Sequence, residues 1–422
     1  MQTKIIKSII EQHAEEAAIL WLQRCDVIRD PHYSLKDIAH HDDRLEAHID
    51  GLRIAGDAGW EICKTALTFN EPGEVFVAAI LAFEGDDGKR VDNVMQVALS
   101  ETENWCALVS AIGWVSNEHY QRWIPGMLNA NVETYRRLAV AGSVIVHQVP
   151  EVALTAAIED TDPYFQARAL RAVGELKYQN LLPLVHEKLN SNNEMCKFWA
   201  AWSGVLLGDK SSLKMLNSFA VPESLYLTRS LQLMLRVMSV ANSTQWLSEF
   251  TKGPEVLGDA VLAAGIIGDP LYVPWLINLM AIPEVARKAG EAFSMITGVD
   301  IAYDSLDGDW PKGFEAGPTE DPEDESVEMD SDEDLPWPVQ SLIQEWWDKN
   351  QHNFQVGIRY LVGQPVTREH CQFILKTGFQ RQRRAAALEL VLLQPTEPLF
   401  NTSAEGAYQQ KMLGQFNHII KS

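Results

Sequence analysis

The sequence predicts an all-α solenoid of helical hairpins, with a non-repeating helical cap at each end. Three observations predict it: a period of about 30 residues, two helical apolar stripes within each period, and small residues at a recurring place in the first helix. Turn-rich breaks place unit starts near Gly73, Thr102, Asn131, Thr161, Asn192, Glu223 and Pro254, with a partial unit near Ile282; the spacings are 29, 29, 30, 31, 31, 31 and 28 residues.

Residues 1–72 come first and do not keep the period. Their opening stretch interrupts its isoleucines with Lys7, Glu11, Glu15 and Glu16, which reads as an amphipathic helix and not as a signal peptide. In the next stretch Leu45, Ile49 and Leu52 share a helical face, and Trp60 reads as a core anchor. His41 and His48 stand seven apart, where metal ligands on one helix usually sit at i and i+4, so this face reads as charged and solvated.

Residues 73–302 form the repeat array. The unit from Thr161 shows the pattern most plainly: Ala167, Leu170, Val173 and Leu176 recur at helical spacing, then Leu181, Leu182, Val185 and Leu189. Neither helix can bury its stripe alone, so each hairpin has to stack on its neighbours. Gly113, Gly142, Gly174, Gly204 and Gly265 fall late in the first helices. Glycine inside a helix costs about 0.5 to 1 kcal/mol relative to alanine, so its recurrence predicts backbones in close approach. Gly208-Asp209 and Gly268-Asp269, two periods apart, predict helix C-caps followed by a turn, with Pro270 starting the next helix. The unit from Glu223 has Leu235, Arg236 and Val237 where the glycine is expected, so there the repeat is degenerate.

Residues 303–335 hold 14 acids and one lysine, a local charge of -13, and predict a disordered acidic linker. Residues 336–422 carry nine Lys plus Arg against six acids and predict a second helical cap. There Arg381, Arg383 and Arg384 precede an apolar helix, a placement that opposes the helix dipole. These three are candidate partner-binding residues, for carboxylates of another chain or for the acidic linker folding back; a solvated cluster is the plain alternative. Of Trp337, Trp346 and Trp347, two are expected in the core and one, with Trp337 as candidate, as an interface anchor.

The whole chain has 422 residues, is 46% hydrophobic and 22% charged, and can bury a sizeable core. Its net charge of -23 weighs against nucleic acid and anionic membranes as partners, since both attract cationic surfaces. Five scattered cysteines without a CxxC pair predict reduced thiols in a cytoplasmic protein, and no apolar run approaches a membrane span. Phosphate-loop, dinucleotide, HExxH, GxSxG and kinase signatures are lacking, so the expectation is a protein that is not an enzyme and needs no cofactor or metal.

The stretches GVLLGD and AAGIIGDPLYVPWLINLM make the array resemble the short HEAT-like repeats of bacterial proteins. The ends carry a second likeness. RLEAHIDGLRIAGDAGWE, ITGVDI and GIRYLVGQPVTREHCQFILKTGFQRQRRAAALEL together resemble a bacterial HEAT-like-repeat family encoded in type VI secretion gene clusters, beside PAAR-like spike proteins and their adaptors. That resemblance covers essentially the whole chain and implies a cytoplasmic accessory adaptor or chaperone whose partner is a spike component or an effector. It brings no residue-level mechanism. A regulatory or immunity-like binder of a basic toxin, and an enzyme on a helical scaffold, are the alternatives.

Overall fold

Ser116, Asp87, Asp162, Asp209 and Ser239 cap the starts of several array helices, and Pro72, Pro163 and Pro283 stand first in three. Gly85, Gly113, Gly268 and Gly298 close some of them, and the breaks fall near where the period puts them. The computed structural model describes residues 6–85, 87–251, 256–314, 317, 330 and 332–419. Within the array the first helices are Pro72–Glu84, Thr102–Ile112, Glu133–Ile145, Pro163–Glu175, Glu194–Leu206, Leu227–Val237, Leu257–Ile267 and Pro283–Thr297. Their partners are Gly88–Ala98, Asn117–Leu128, Glu151–Ile158, Leu182–Lys188, Lys210–Asn217, Val240–Phe250 and Val273–Leu279. The fold class is therefore the all-α solenoid that the period predicts. A two-residue antiparallel ribbon, Tyr360–Leu361 with Gln364–Pro365, and an isolated antiparallel bridge between Asp307 and Pro338 depart from it.

Two of the recurring glycines, Gly174 and Gly265, sit where backbones meet, whereas a Cβ on Gly113 or Gly142 would meet a side-chain methyl, of Ile145 or Ile112, at 2.6 Å. A Cβ on Gly174 would stand 2.6 Å from the Cα of Ser203 in the next first helix, and one on Gly265 would stand 3.1 Å from the Cα of Ala292. The two Gly-Asp breaks behave alike. Gly208 and Gly268 are left-handed, with φ of 85° and 70°, and Asp209 and Asp269 then cap the next helix by accepting from the backbone N–H of Ser212 and Leu271.

The described chain divides into two compact units: Met1–Arg29, Tyr33–Ser203 and Asn401–Ser422 form one, and Asp30–His32 with Gly204–Phe400 form the other. This division falls inside the repeat array and assigns the last residues to the first unit. There the helix Gly406–Ile419 packs on Leu35–Ala55, which itself packs on Lys7–Val27.

In the first unit, hydrogen bonds about one period apart stitch successive hairpins along two edges. On the edge of the inter-repeat turns, Ser100 Oγ and Asn104 Nδ2 donate to the Asn70 side-chain carbonyl, at 2.9 and 3.0 Å. On the opposite edge, Gln121 donates to Gln148 at 2.8 Å and the Tyr178 hydroxyl donates to the Val149 carbonyl at 2.5 Å.

The second unit uses a different device. Residues 357–363 run across the carboxy-terminal ends of three first helices and satisfy carbonyls that helix geometry leaves open. Tyr360 N–H donates to the Gly268 carbonyl at 2.8 Å, Val362 N–H to Met295 at 2.7 Å, and Gly363 N–H to Ile296 at 3.1 Å. Arg359 donates to the carbonyls of Leu235 (2.6 Å), Arg236 (2.5 Å), Met238 (3.1 Å) and Ile267 (3.2 Å). One guanidinium thus closes two helix ends. Arg359→Met keeps much of the stem but removes these donors, and its expected cost is about 2 to 3 kcal/mol in urea unfolding. A change below about 0.5 kcal/mol contradicts the clamp.

Candidate functional site

The carboxy-terminal arginines predicted from sequence do not act as one cluster. Arg383 is fully buried: its Nε donates to the Leu375 carbonyl at 2.8 Å, its Nη1 bonds the Gln380 side chain, and burial lowers its pKa to about 10. This corrects its reading as a partner-binding residue, because a guanidinium enclosed by its own helix pair presents no surface to another chain. Arg384 is half-buried on the same helix, Gln380–Leu393.

Arg381 and Trp337 border one site, which they reach through Asp332 and Arg287 respectively. The helix Pro283–Thr297 begins at a proline and projects Arg287, Lys288 and Glu291 from one side. Arg287 Nη2 lies 2.6 Å from Asp330 Oδ2, and its Nη1 donates to the Asp332 backbone carbonyl at 2.6 Å. Its guanidinium is 4.6 Å from the Trp310 ring centroid and 5.6 Å from that of Trp337. Trp310 and Trp337 are themselves 5.2 Å apart. Lys288 Nζ stands 3.5 Å from Asp332 Oδ2, while Arg381 Nη1 bridges Glu291 at 2.7 Å and Asp332 at 3.2 Å. Burial pulls the Arg381 pKa down, but Glu291 and Asp332 outweigh it and hold the group above its ordinary value. Burial raises the Glu291 carboxyl.

Asp330 and Asp332, at the far end of the acidic segment, therefore sit on a cationic and aromatic seat within their own unit, to which Arg381 of the three predicted arginines contributes. The near end is held as well: Gly308 N–H donates to the Trp337 carbonyl at 2.9 Å, and Val339 N–H to Leu306 at 2.9 Å. Linker disorder was expected over residues 303–335; its stretches 315–316 and 318–329 and residue 331 lie outside the described residues. Trp347 is buried, Trp346 packs edge-on to Phe293 with centroids 5.6 Å apart, and the exposed indole of the region is Trp310, at 43%. Sequence spacing could not find Arg287 or Lys288, since a lone basic pair in a helical repeat carries no signal of its own.

Arg381→Glu should release this end of the segment, with protease cleavage around residues 332–335 rising several-fold while the helical content stays unchanged. High salt should act in the same direction, because the Arg381 pair is partly exposed and screened. Unchanged cleavage under both conditions refutes the docked arrangement.

In the first unit, the helix Pro163–Glu175 presents Tyr164, Arg168, Arg171 and Glu175 along one face. Arg171 Nε is 2.7 Å from Glu175, and its guanidinium lies 4.9 Å from the ring centroid of Trp199 on the next first helix. Burial raises the Glu175 pKa, but Arg171 and Arg168 outweigh it and hold the carboxylate below its ordinary range. The result is a preorganised, partly buried patch of arginine and tryptophan in which Arg171 is the more exposed arginine, at 43%; these residue types dominate binding hot spots.

The histidines lie apart. His41 Nε2 hydrogen-bonds the Leu20 carbonyl at 2.8 Å, whereas His48 Nδ1 lies 3.2 Å from His13 Nδ1. Among the described residues no group of three or more His, Cys, Asp or Glu side chains is placed to hold a metal ion, and no helix is long and apolar enough to cross a membrane.

Comparison with known families finds a match to the model for HEAT repeats over residues 151–236. That stretch runs from the helix Glu151–Ile158 to the helix Leu227–Val237, and the same hairpin pattern continues on both sides of it. No curated protein and no solved structure matches the chain.

Proposed function

We propose that this chain is a non-enzymatic protein-interaction scaffold, a cytoplasmic accessory adaptor or chaperone in the loading of a type VI secretion spike or effector. The observation that carries the scaffold reading is the Arg168, Arg171, Glu175 and Trp199 face, linked across two stacked first helices and partly exposed. Repeats of this kind generally present such faces to protein partners, and the fold alone names no partner. Support for the secretion role comes from the likeness of the two ends. In that likeness GIRYLVGQP is the stretch whose Arg359, Tyr360, Val362 and Gly363 clamp the repeat ends of the second unit.

Affinity purification of the full chain from native cells, with mass spectrometry, is expected to retain a spike component or an effector. Failure to retain either, under conditions that preserve a known spike complex, sinks the reading. A second reading, sequestration of a basic toxin, is favoured by the charge of -13 on residues 1–302. Loss of the protein separates the two: delivery fails under the first, whereas sibling cells intoxicate one another under the second.

A further inference from the structure

The inter-repeat turns of the first unit share one edge, and their sequences have a common character that the fold does not demand. Each of four successive turns exposes one large apolar side chain: Phe69 at 68%, Leu99 at 52%, Val132 at 54% and Tyr164 at 75%. They recur at 30, 33 and 32 residues, which is the repeat period. On the opposite edge the corresponding described turns of this unit expose one such residue, Val152. Residues 67–72, 98–104, 128–134, 158–164 and 189–195, the five turns of the apolar edge, together contain eight carboxylates and no lysine or arginine. Arg137 reaches in from a helix to neutralise part of this charge, bonding Glu133 and Asp162. Glu71, Glu101 and Glu103 remain exposed at the other end.

A single exposed apolar side chain is ordinary on a protein surface, but four of them recurring at the repeat period along one edge make a row that the hairpins' own cores do not require. Stacked helices lie about 8 to 10 Å apart, so four anchors one repeat apart span on the order of 30 Å, the length of a helix of about 20 residues. We propose that this edge is a docking strip for a cationic amphipathic helix of a protein partner, whose apolar residues meet Phe69, Leu99, Val132 and Tyr164 and whose lysines or arginines meet the flanking carboxylates. The proposal rests on the scaffold reading and specifies the chemistry of the partner.

The test uses the full-length chain and a fluorescent 20-residue helical peptide of lysine and leucine, with a lysine/serine and a glutamate/leucine peptide as controls. The lysine/leucine peptide is expected to bind, to weaken with salt, and to lose about tenfold or more in affinity to the variant Phe69→Ser, Leu99→Ser, Val132→Ser, Tyr164→Ser. All four side chains are mostly exposed, so circular dichroism and melting temperature should match the parent. The variant Glu71→Gln, Glu101→Gln, Glu103→Gln, which keeps the apolar row, should weaken binding at low salt and flatten the salt dependence. Three results each overturn the strip: no binding by the parent, equal binding of the lysine/serine peptide, or lysine/leucine affinity within twofold in the serine variant. Capture from cells separates this from the broader reading. A spike or effector retained equally by parent and serine variant removes the strip and leaves the scaffold, whereas no capture by the parent removes the scaffold.

Discussion

Glu389→Ala is expected to destabilise the second unit by about 3 to 5 kcal/mol, the range for removing one partner of a buried ion pair. Glu389 Oε1 lies 3.3 Å from Arg236 Nε and 3.9 Å from Arg359 Nη1, and the Arg236 side chain is 1% exposed. Burial raises the Glu389 pKa and lowers that of Arg236 to about 10, so both members bear the cost of leaving water and each depends on the other's charge. Alanine at position 389 leaves two guanidinium groups facing each other without their shared anion. The double variant Arg236→Met, Glu389→Leu separates charge balance from packing. Replacing a buried pair by apolar groups of similar volume is often neutral or stabilising, so this variant should recover most of the loss in urea unfolding. If the single variant unfolds like the parent, or the double variant is as unstable as the single, the pair is not what joins these helices.

The same pair shows where sequence reasoning reached and where it stopped. Periodicity located the hairpins because each first helix must bury one stripe on the next, and a missing glycine at Arg236 marked one repeat as degenerate. What replaces the glycine was not legible. Glu389 is 153 residues away along the chain, and a charge at the end of a helix has no spacing rule that points to a distant partner. The arginines at 381, 383 and 384 show a related limit. Adjacent residues on a helix face different directions, so three equal charges in sequence became one bridge to Glu291 and Asp332, one buried structural donor and one half-buried side chain. A count of basic residues treats them alike; the helix does not. The docking of Asp330 and Asp332 could be posed as an alternative from charge alone, but choosing it required the position of Arg287 between two indoles.

Asp42→Ala should produce a loss of similar size in the first unit, again about 3 to 5 kcal/mol. Asp42 is 3% exposed and Arg24 is 5% exposed. Arg24 Nε donates to Asp42 Oδ1 at 2.6 Å, and Nη2 donates to Oδ2 at 3.2 Å. The same carboxylate accepts from the Gly406 backbone N–H at 2.7 Å, while Arg24 also donates to the carbonyls of Ser403 and Ala404, at 3.2 and 2.9 Å. Two amino-terminal helices are thereby bonded to the entry of the last helix, where a Cβ on Gly406 would stand 2.6 Å from the Cα of Ala39. The residues that close the first unit thus come from both ends of the chain, and a variant that leaves Arg24 buried without its anion should free the last helix before the rest of the unit unfolds. Amide exchange should then quicken over residues 406–419 more than over the helix Thr102–Ile112. Asp42→Asn, which retains an acceptor for Gly406 but not the charge, should fall between alanine and the parent. Uniform exchange across the unit in the alanine variant would mean that this contact stabilises the whole unit and does not fasten one helix.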